Sequence, residues 1–222
     1  MTRIVLKLGG RVAADGVDHA KALQAAGNEV VLVHGGGPQI DAELRARGLP
    51  VRFVRGRRFT DERTLAVVRS SLVTVGAELA SVLGTEAVQL VGDEIGLQAE
   101  PVPELGLVGV PLPCRPAAVE AALARGLLPV VTPVAEGPLN VNADEAAAAL
   151  AEGLRADRLA FVTDVPGVLL DGSVVARLGV ERADELLATG AVDGGIVPKL
   201  LAAVRAARSG VAAEIGATAV VA

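Results

Sequence analysis

Short apolar runs alternate with stretches of helical periodicity along the whole chain, and the sharpest example spans Asn28 to Pro38. Val30 to Val33 is a run of four apolar residues, three of them β-branched, and too short for a helix. Such a run predicts a strand covered on both faces, as in a parallel sheet. His34 and three glycines end it, and Gln39 to Arg47, with Ile40 and Leu44 on one stripe, predicts a helix. A strand, a glycine turn and a helix start together aim backbone N–H groups at an anion. Glycine lets that anion approach without a Cβ in the way, although the same triplet also suits a turn that only needs positive φ.

The rest of the chain repeats the theme. Arg3 to Leu8 predicts a strand ending at Gly9-Gly10, and Asp15 to Ala26 a helix with Gly27 as C-cap. Thr60 or Asp61 caps a helix running to about Leu83. Ala87 to Val91 is a strand, 97–113 a short hairpin region, Pro116 to Arg125 a helix and Leu127 to Thr132 a buried strand. An alanine-rich helix follows to about Leu154, then a strand from Leu159 to Val162 and a short extended piece from Val174 to Leu178. Helices at Val180 to Thr189 and up to Ser209 precede one or two last strands between Ala213 and Ala222. This alternation predicts an α/β domain with a mainly parallel sheet. The break near 134–140 divides it into two lobes, 1–135 and 136–222.

Composition narrows the partners. The 222 residues fit one large domain or two small ones, and with 51% hydrophobic residues but no Trp, no Tyr and three Phe, the core is Val, Leu, Ile and Ala. A formal charge of −5 argues against nucleic acid. The single cysteine, Cys114, excludes an internal disulfide and fits a small buried apolar residue in a reducing compartment. No apolar run reaches the roughly 18 residues of a membrane span, and the chain opens on a strand with no signal peptide, so cytoplasmic localisation is expected.

Several charged residues invite chemistry. Lys7 closes a buried strand, where an ammonium is costly unless it snorkels to water or meets an anion; the adjoining Gly9 and Gly10 favour phosphate. Five arginines lie between Arg52 and Arg63. They are either a solvated cluster paired with Asp61 and Glu62 or a fork for an acidic small molecule. Lys199 stands near a helix start, where the dipole disfavours a cation and an anionic partner is expected. His34 reads as a packed turn histidine.

Lys7-Leu-Gly-Gly10, His34-Gly-Gly-Gly-Pro38, Gly56-Arg-Arg-Phe-Thr-Asp61, Asn140-Val-Asn-Ala-Asp144, Thr163-Asp-Val-Pro-Gly167 and Asp193-Gly-Gly-Ile-Val-Pro-Lys199 occur in this order across nearly the whole chain. Together they resemble the amino acid kinase family, most closely its branch that phosphorylates N-acetyl-L-glutamate. The resemblance implies a three-layer αβα sandwich and transfer of the γ-phosphoryl of ATP, with Mg2+ accompanying the nucleotide, to a side-chain carboxylate in arginine biosynthesis. It implies Lys7 and Lys199 at the phosphoryl group, and Asp144 holding both lysines. It implies N–H groups of Gly9 and Gly10 for phosphate, Gly36 and Gly37 for phosphate or substrate, Arg58 for the α-carboxylate and Asn140 for the acetamido end. The nucleotide site falls to Asp164, Val165, Pro166, Gly167, Val168 and Leu169 with Ala191, Val192 and Asp193. The structural alternatives are that Asp144 caps the alanine-rich helix beside Asn142 and that Asn140 is a turn residue.

The chain departs from the family pattern in three places. Thr74-Val-Gly-Ala-Glu78 stands where the family carries Gly-Lys-x-Asn-Lys, which bears on subunit contact or local support. The segment after Val211 is short, on the nucleotide side. No helix precedes the first strand, so the resemblance implies a homodimer without arginine feedback. Rival readings are a kinase for glutamate or α-aminoadipate masked by an acidic carrier protein, and a non-catalytic binder.

Overall fold

The structure, a computed structural model, describes residues 1–9, 13–54 and 56–222. Gly10 and Arg55 of the sequence expectations therefore lie outside the described residues. Across the main sheet the strands run Arg177–Gly179, Thr218–Val221, Ala212–Ile215, Arg158–Val162, Arg3–Leu8, Glu29–His34, Leu128–Thr132 and Ala87–Val91. Neighbours pair in parallel except Ala212–Ile215 with Thr218–Val221, which are antiparallel.

Alternation along each strand sorts residues to two faces. Ile4, Leu6 and Leu8 of the first strand join Val30, Leu32 and Val130 in one apolar cluster, with Val17 and Ala20 of the helix Ala13–Ala25 and Val75, Leu79 and Leu83 of the helix Glu62–Leu83. Val5 joins Val31, Val33, Val131 and Phe161 on the other face. There they meet the helices Ala117–Ala124, Ala143–Gly153, Val180–Thr189 and Ile196–Arg208. The result is three layers, helices on both faces of a mainly parallel sheet, as expected. Lys7, one residue from Leu6 and from Leu8, lies on the Val5 face and so turns toward the helix Ala143–Gly153.

The first strand is also where the chain reverses direction across the sheet. Glu29–His34 is its neighbour on one side and Arg158–Val162 on the other. Ligands in open α/β sheets gather at the C-terminal strand ends of such a switch point, which is where Lys7 and Leu8 stand.

Local chemistry sets the element ends. Asp61 rather than Thr60 is the cap of the helix Glu62–Leu83: its Oδ1 accepts from the Thr64 N–H at 2.7 Å. That helix is long and apolar enough to cross a membrane by length and composition alone. Its buried stripe (Leu65, Val68, Leu72, Val75, Leu79, Leu83) packs into the domain instead. The helix expected from Gln39 begins at Gly37. Asn142, not Asp144, caps the alanine-rich helix, its Oδ1 accepting from the N–H groups of Asp144 (2.8 Å) and Glu145 (3.2 Å). That leaves the Asp144 carboxylate for other work.

Candidate active site

Three distant segments bring charge to one point. Lys7 Nζ lies 2.8 Å from Asp144 Oδ1, and Lys199 Nζ lies 3.5 Å from Asp144 Oδ2 and 3.3 Å from the Gly195 carbonyl. Lys7 and Asp144 are both buried. Burial is the main cause that lowers the Lys7 pKa from its ordinary 10.5; Asp144 opposes the shift, and the charge of Lys199 adds to it. One carboxylate thus holds two ammonium groups close together, an arrangement that leaves a surplus of positive charge for an anion.

On one side of this trio opens a cavity of about 230 Å³ lined by Lys7, Gly35, Gly36, Gly37, Phe53, Arg58, Asn140 and Asp144, among others. Arg58 is buried, and its Nη2 donates to Asp41 Oδ1 at 2.5 Å. Its guanidinium carbon sits 4.7 Å from the centre of the Phe53 ring. Among the described residues its buried Nη1 has no partner, which leaves an orphaned donor. Arg57 donates to Glu145 Oε1 at 2.5 Å, and Arg52 stacks on Phe59 at 4.5 Å. The arginine cluster therefore divides: Arg57 and Arg58 are drawn inward, whereas Arg52 and Arg63 are exposed. The Asp61 pKa is lowered chiefly by the Thr64 N–H, and Arg63 lies close enough to assist. Asp41, Glu145 and two rings hold Arg58, Arg57 and Arg52.

The glycine triplet divides its labour. The Gly35 N–H donates to the Leu8 carbonyl at 3.1 Å and so continues the sheet. Gly36 is the N-cap and Gly37 the first residue of the next helix, a position whose N–H groups have no partner inside the helix. A Cβ on Gly36 would meet Leu72 Cδ2 at 2.9 Å, so that turn admits only glycine without a shift. Gly9 departs from expectation. Its N–H donates to the Val162 carbonyl at 3.2 Å, and the residue borders a separate apolar cavity rather than the one around Lys7.

His34 is packed, as expected from the sequence. Nδ1 lies 3.2 Å from the Gly35 carbonyl and Nε2 3.2 Å from Thr132 Oγ1. Burial pushes its pKa from 6.5 down to about 4, the Gly35 carbonyl opposing and the Lys7 charge assisting. The ring is neutral at pH 7. Because a carbonyl only accepts, Nδ1 carries the proton and Nε2 accepts from the Thr132 hydroxyl. Gly76 makes room for this cluster: a Cβ there would lie 2.9 Å from His34 Nε2 and 2.8 Å from Thr132 Oγ1.

Beyond Lys199 lies a second cavity, about 440 Å³, lined by Thr163, Asp164, Val165, Gly167 and Leu169 from one turn and by Gly190 to Ile196 from another. Ala191, Val192 and Asp193 are among them. Val168 is not: it is fully buried, its N–H donating to Thr218 Oγ1 at 2.8 Å. Pro166 also stays outside the lining, its carbonyl accepting from the Ala217 N–H at 2.8 Å. Among the described residues no group of three or more His, Cys, Asp and Glu could hold a metal ion.

The model of the amino acid kinase family matches residues 2–216. The chain belongs to that family. It is 40% identical over 224 residues to the acetylglutamate kinase of Rubrobacter xylanophilus, covering 97% of this chain and 88% of that protein. It is also 40% identical over 219 residues to the acetylglutamate kinase of Geobacillus stearothermophilus, covering 91% and 84%. Among solved structures, smu.665 from Streptococcus mutans superposes with a TM-score of 0.91 at 29% identity, covering 99% of this chain and 98% of that one.

Within this kinase domain, sequence reasoning missed Asp41, Phe53, Thr60 and Glu145. Each supports a residue that was singled out, but Asp41, Phe53 and Glu145 carry no motif, and Thr60 stood in one only as a possible helix cap. Only Thr60 had a usable signal, since a hydroxyl two residues after Arg58 was within reach of that residue's carbonyl.

Proposed function

We propose that the chain is an acetylglutamate kinase, passing the γ-phosphoryl of ATP to the side-chain carboxylate of N-acetyl-L-glutamate. The observation that carries this reading is the pair of cavities on either side of Lys7, Asp144 and Lys199. A carboxylate acceptor is already ionised near pH 7, so the reaction needs no general base. Its difficulty is the approach of two anions and the charge that spreads over the transferring group.

The residues suit that difficulty. Lys7, from the acceptor side, and Lys199, from the nucleotide side, neutralise the transferring group, while Asp144 keeps both in place. The amides at Gly36 and Gly37 add directed donors. The buried Nη1 of Arg58 takes the α-carboxylate, and Asn140 meets the acetamido group. Thr163 to Leu169 and Ala191 to Asp193 hold the nucleotide. Mg2+ would accompany the nucleotide and supply positive charge at its phosphates; no step is assigned to it. In this proposal 1–135 is the acceptor lobe and 136–222 the nucleotide lobe, with Asn140 to Asp144 reaching across, and the enzyme works in the cytoplasm as a homodimer.

ADP release measured with N-acetylglutamate, glutamate, α-aminoadipate and no acceptor tests the reading. Stimulation by N-acetylglutamate alone is expected. If no acceptor raises ADP release above the background, the chain is a binder and not a kinase. Inertness of free amino acids and of N-acetylglutamate, with turnover of a carrier-linked substrate, would move the activity to that substrate.

A further inference from the structure

We propose that Thr60 is a positioning residue for Asn140, and that through it the cavity selects acceptors carrying an N–H next to the carboxylate that Arg58 grips. The inference rests on the acceptor reading of the cavity above and adds to it a rule of selection.

Thr60 is fully buried. Its backbone is tied on both sides: its N–H donates to the Leu105 carbonyl at 3.0 Å, and its carbonyl accepts from the Leu107 N–H at 2.7 Å. Its hydroxyl donates to the Arg58 carbonyl at 3.0 Å. A hydroxyl has one hydrogen, and a carbonyl can only accept. At its other contact, Asn140 at 3.0 Å, Thr60 Oγ1 must therefore act as acceptor.

That settles the Asn140 amide, whose nitrogen and oxygen are otherwise interchangeable in shape. Nδ2 faces Thr60; the reverse flip would either set two lone-pair oxygens against each other at 3.0 Å or pull the hydroxyl proton off the Arg58 carbonyl, and only the first orientation keeps both bonds. Asn140 itself is anchored in the strand Leu139–Val141, its N–H donating to the Leu107 carbonyl at 2.9 Å. Oδ1 is left with no protein donor among the described residues, in a side chain that lines the acceptor cavity. The cavity thus presents an acceptor here, and another of its lining side chains, Arg58, carries a buried donor, Nη1, that lacks a partner among the described residues. A ligand with a carboxylate and an N–H on one carbon answers both. An ester oxygen in place of the N–H turns a lone pair on Oδ1 and leaves that acceptor unpaired. Sites built around a hydrogen bond reject such analogues strongly.

Titration calorimetry with N-acetylglutamate and its ester counterpart, 2-acetoxyglutarate, tests this on wild type, Thr60→Val and Thr60→Ser, with ATP binding and Tm measured alongside. The wild type is expected to prefer the amide by about 100-fold or more, and Thr60→Ser to keep that preference. Thr60→Val should cut it to about 10-fold or less, chiefly by weakening the amide, with ATP affinity within about twofold. A wild type that binds both ligands within about 10-fold, or neither, overturns the inference whatever the variants do. So does an unchanged preference in a folded Thr60→Val. Selective binding without ADP release would refute the kinase proposal and leave this inference standing.

Discussion

The cavity at Arg58 and the cavity beyond Lys199 are made of different material. The first is lined by side chains whose charges are already paired and partly or fully buried: Arg58 with Asp41, Arg57 with Glu145, Lys7 with Asp144. The second is made of turns. Gly167, Gly190 and Gly194 take positive φ of 155°, 67° and 59°, and Asp164, Leu169 and Asp193 stand exposed along it. A small cavity of fixed charges can discriminate among acceptors, because each misplaced group loses a directed partner. A wider one formed by backbone turns can hold a larger ligand through many modest contacts. Among the described residues the Asp144 carboxylate and its two lysines bridge them, so substitutions should separate into those that hurt one ligand and those that hurt the transfer itself.

The sharpest test of that division is Lys199→Ala. The ammonium is expected to act on the transferring group rather than on either resting ligand. kcat should therefore fall by about 100- to 1000-fold, with both KM values within a few-fold. Steady-state ADP release checks it. Should kcat stay unchanged, the two cavities would not be joined by charge and the trio would be structural.

Arg58→Ala follows in size. A charge-assisted hydrogen bond to a buried carboxylate is worth about 2–3 kcal/mol. The acceptor KM should therefore rise about 30- to 150-fold, with the ATP KM unmoved. Asp41 would also lose its partner, so urea unfolding belongs beside the kinetics. An acceptor KM that does not change would move the grip to Arg57 and weaken the contrast between the cavities.

How far these features could be seen beforehand follows from their range. Strands of a mainly parallel sheet leave short, mostly apolar runs, so Arg3–Leu8, buried almost throughout, and the half-buried edge strand Ala87–Val91 were legible to the residue despite Lys7 and Gln89. Lys7 and Lys199 were legible because each breaks a local rule: a charge inside a strand, and a cation at a helix start. Asp144, an acid in the first turn of a helix, breaks none and stood out only through the family resemblance. Asp41 and Glu145 break none. Each sits unremarkably on a helix and gains its part only when folding brings Arg58 and Arg57 to it, the latter across 88 residues. The Gly9 expectation failed for a related reason. A glycine beside a strand end looks available for phosphate, yet a neighbouring strand can claim its N–H, as Val162 does here.

The smallest expected effect lies at Leu169. Its side chain is 47% exposed on the rim of the turn-built cavity, an apolar group left in water beside Gly167 and Val165. Covering part of a leucine by a bound base returns about 1 kcal/mol from apolar area alone. Leu169→Ala should then raise the ATP KM about three- to tenfold and leave kcat and the acceptor KM in place. The loss is small because the cavity has other walls, in Ala191, Val192 and Ile196, that keep contributing when one is shortened. A loss nearer 100-fold would mean that this cavity, like its neighbour, depends on a single decisive contact. An acceptor KM that moved in step would mean that the turn from Thr163 to Leu169 acts on the far side of the lysines.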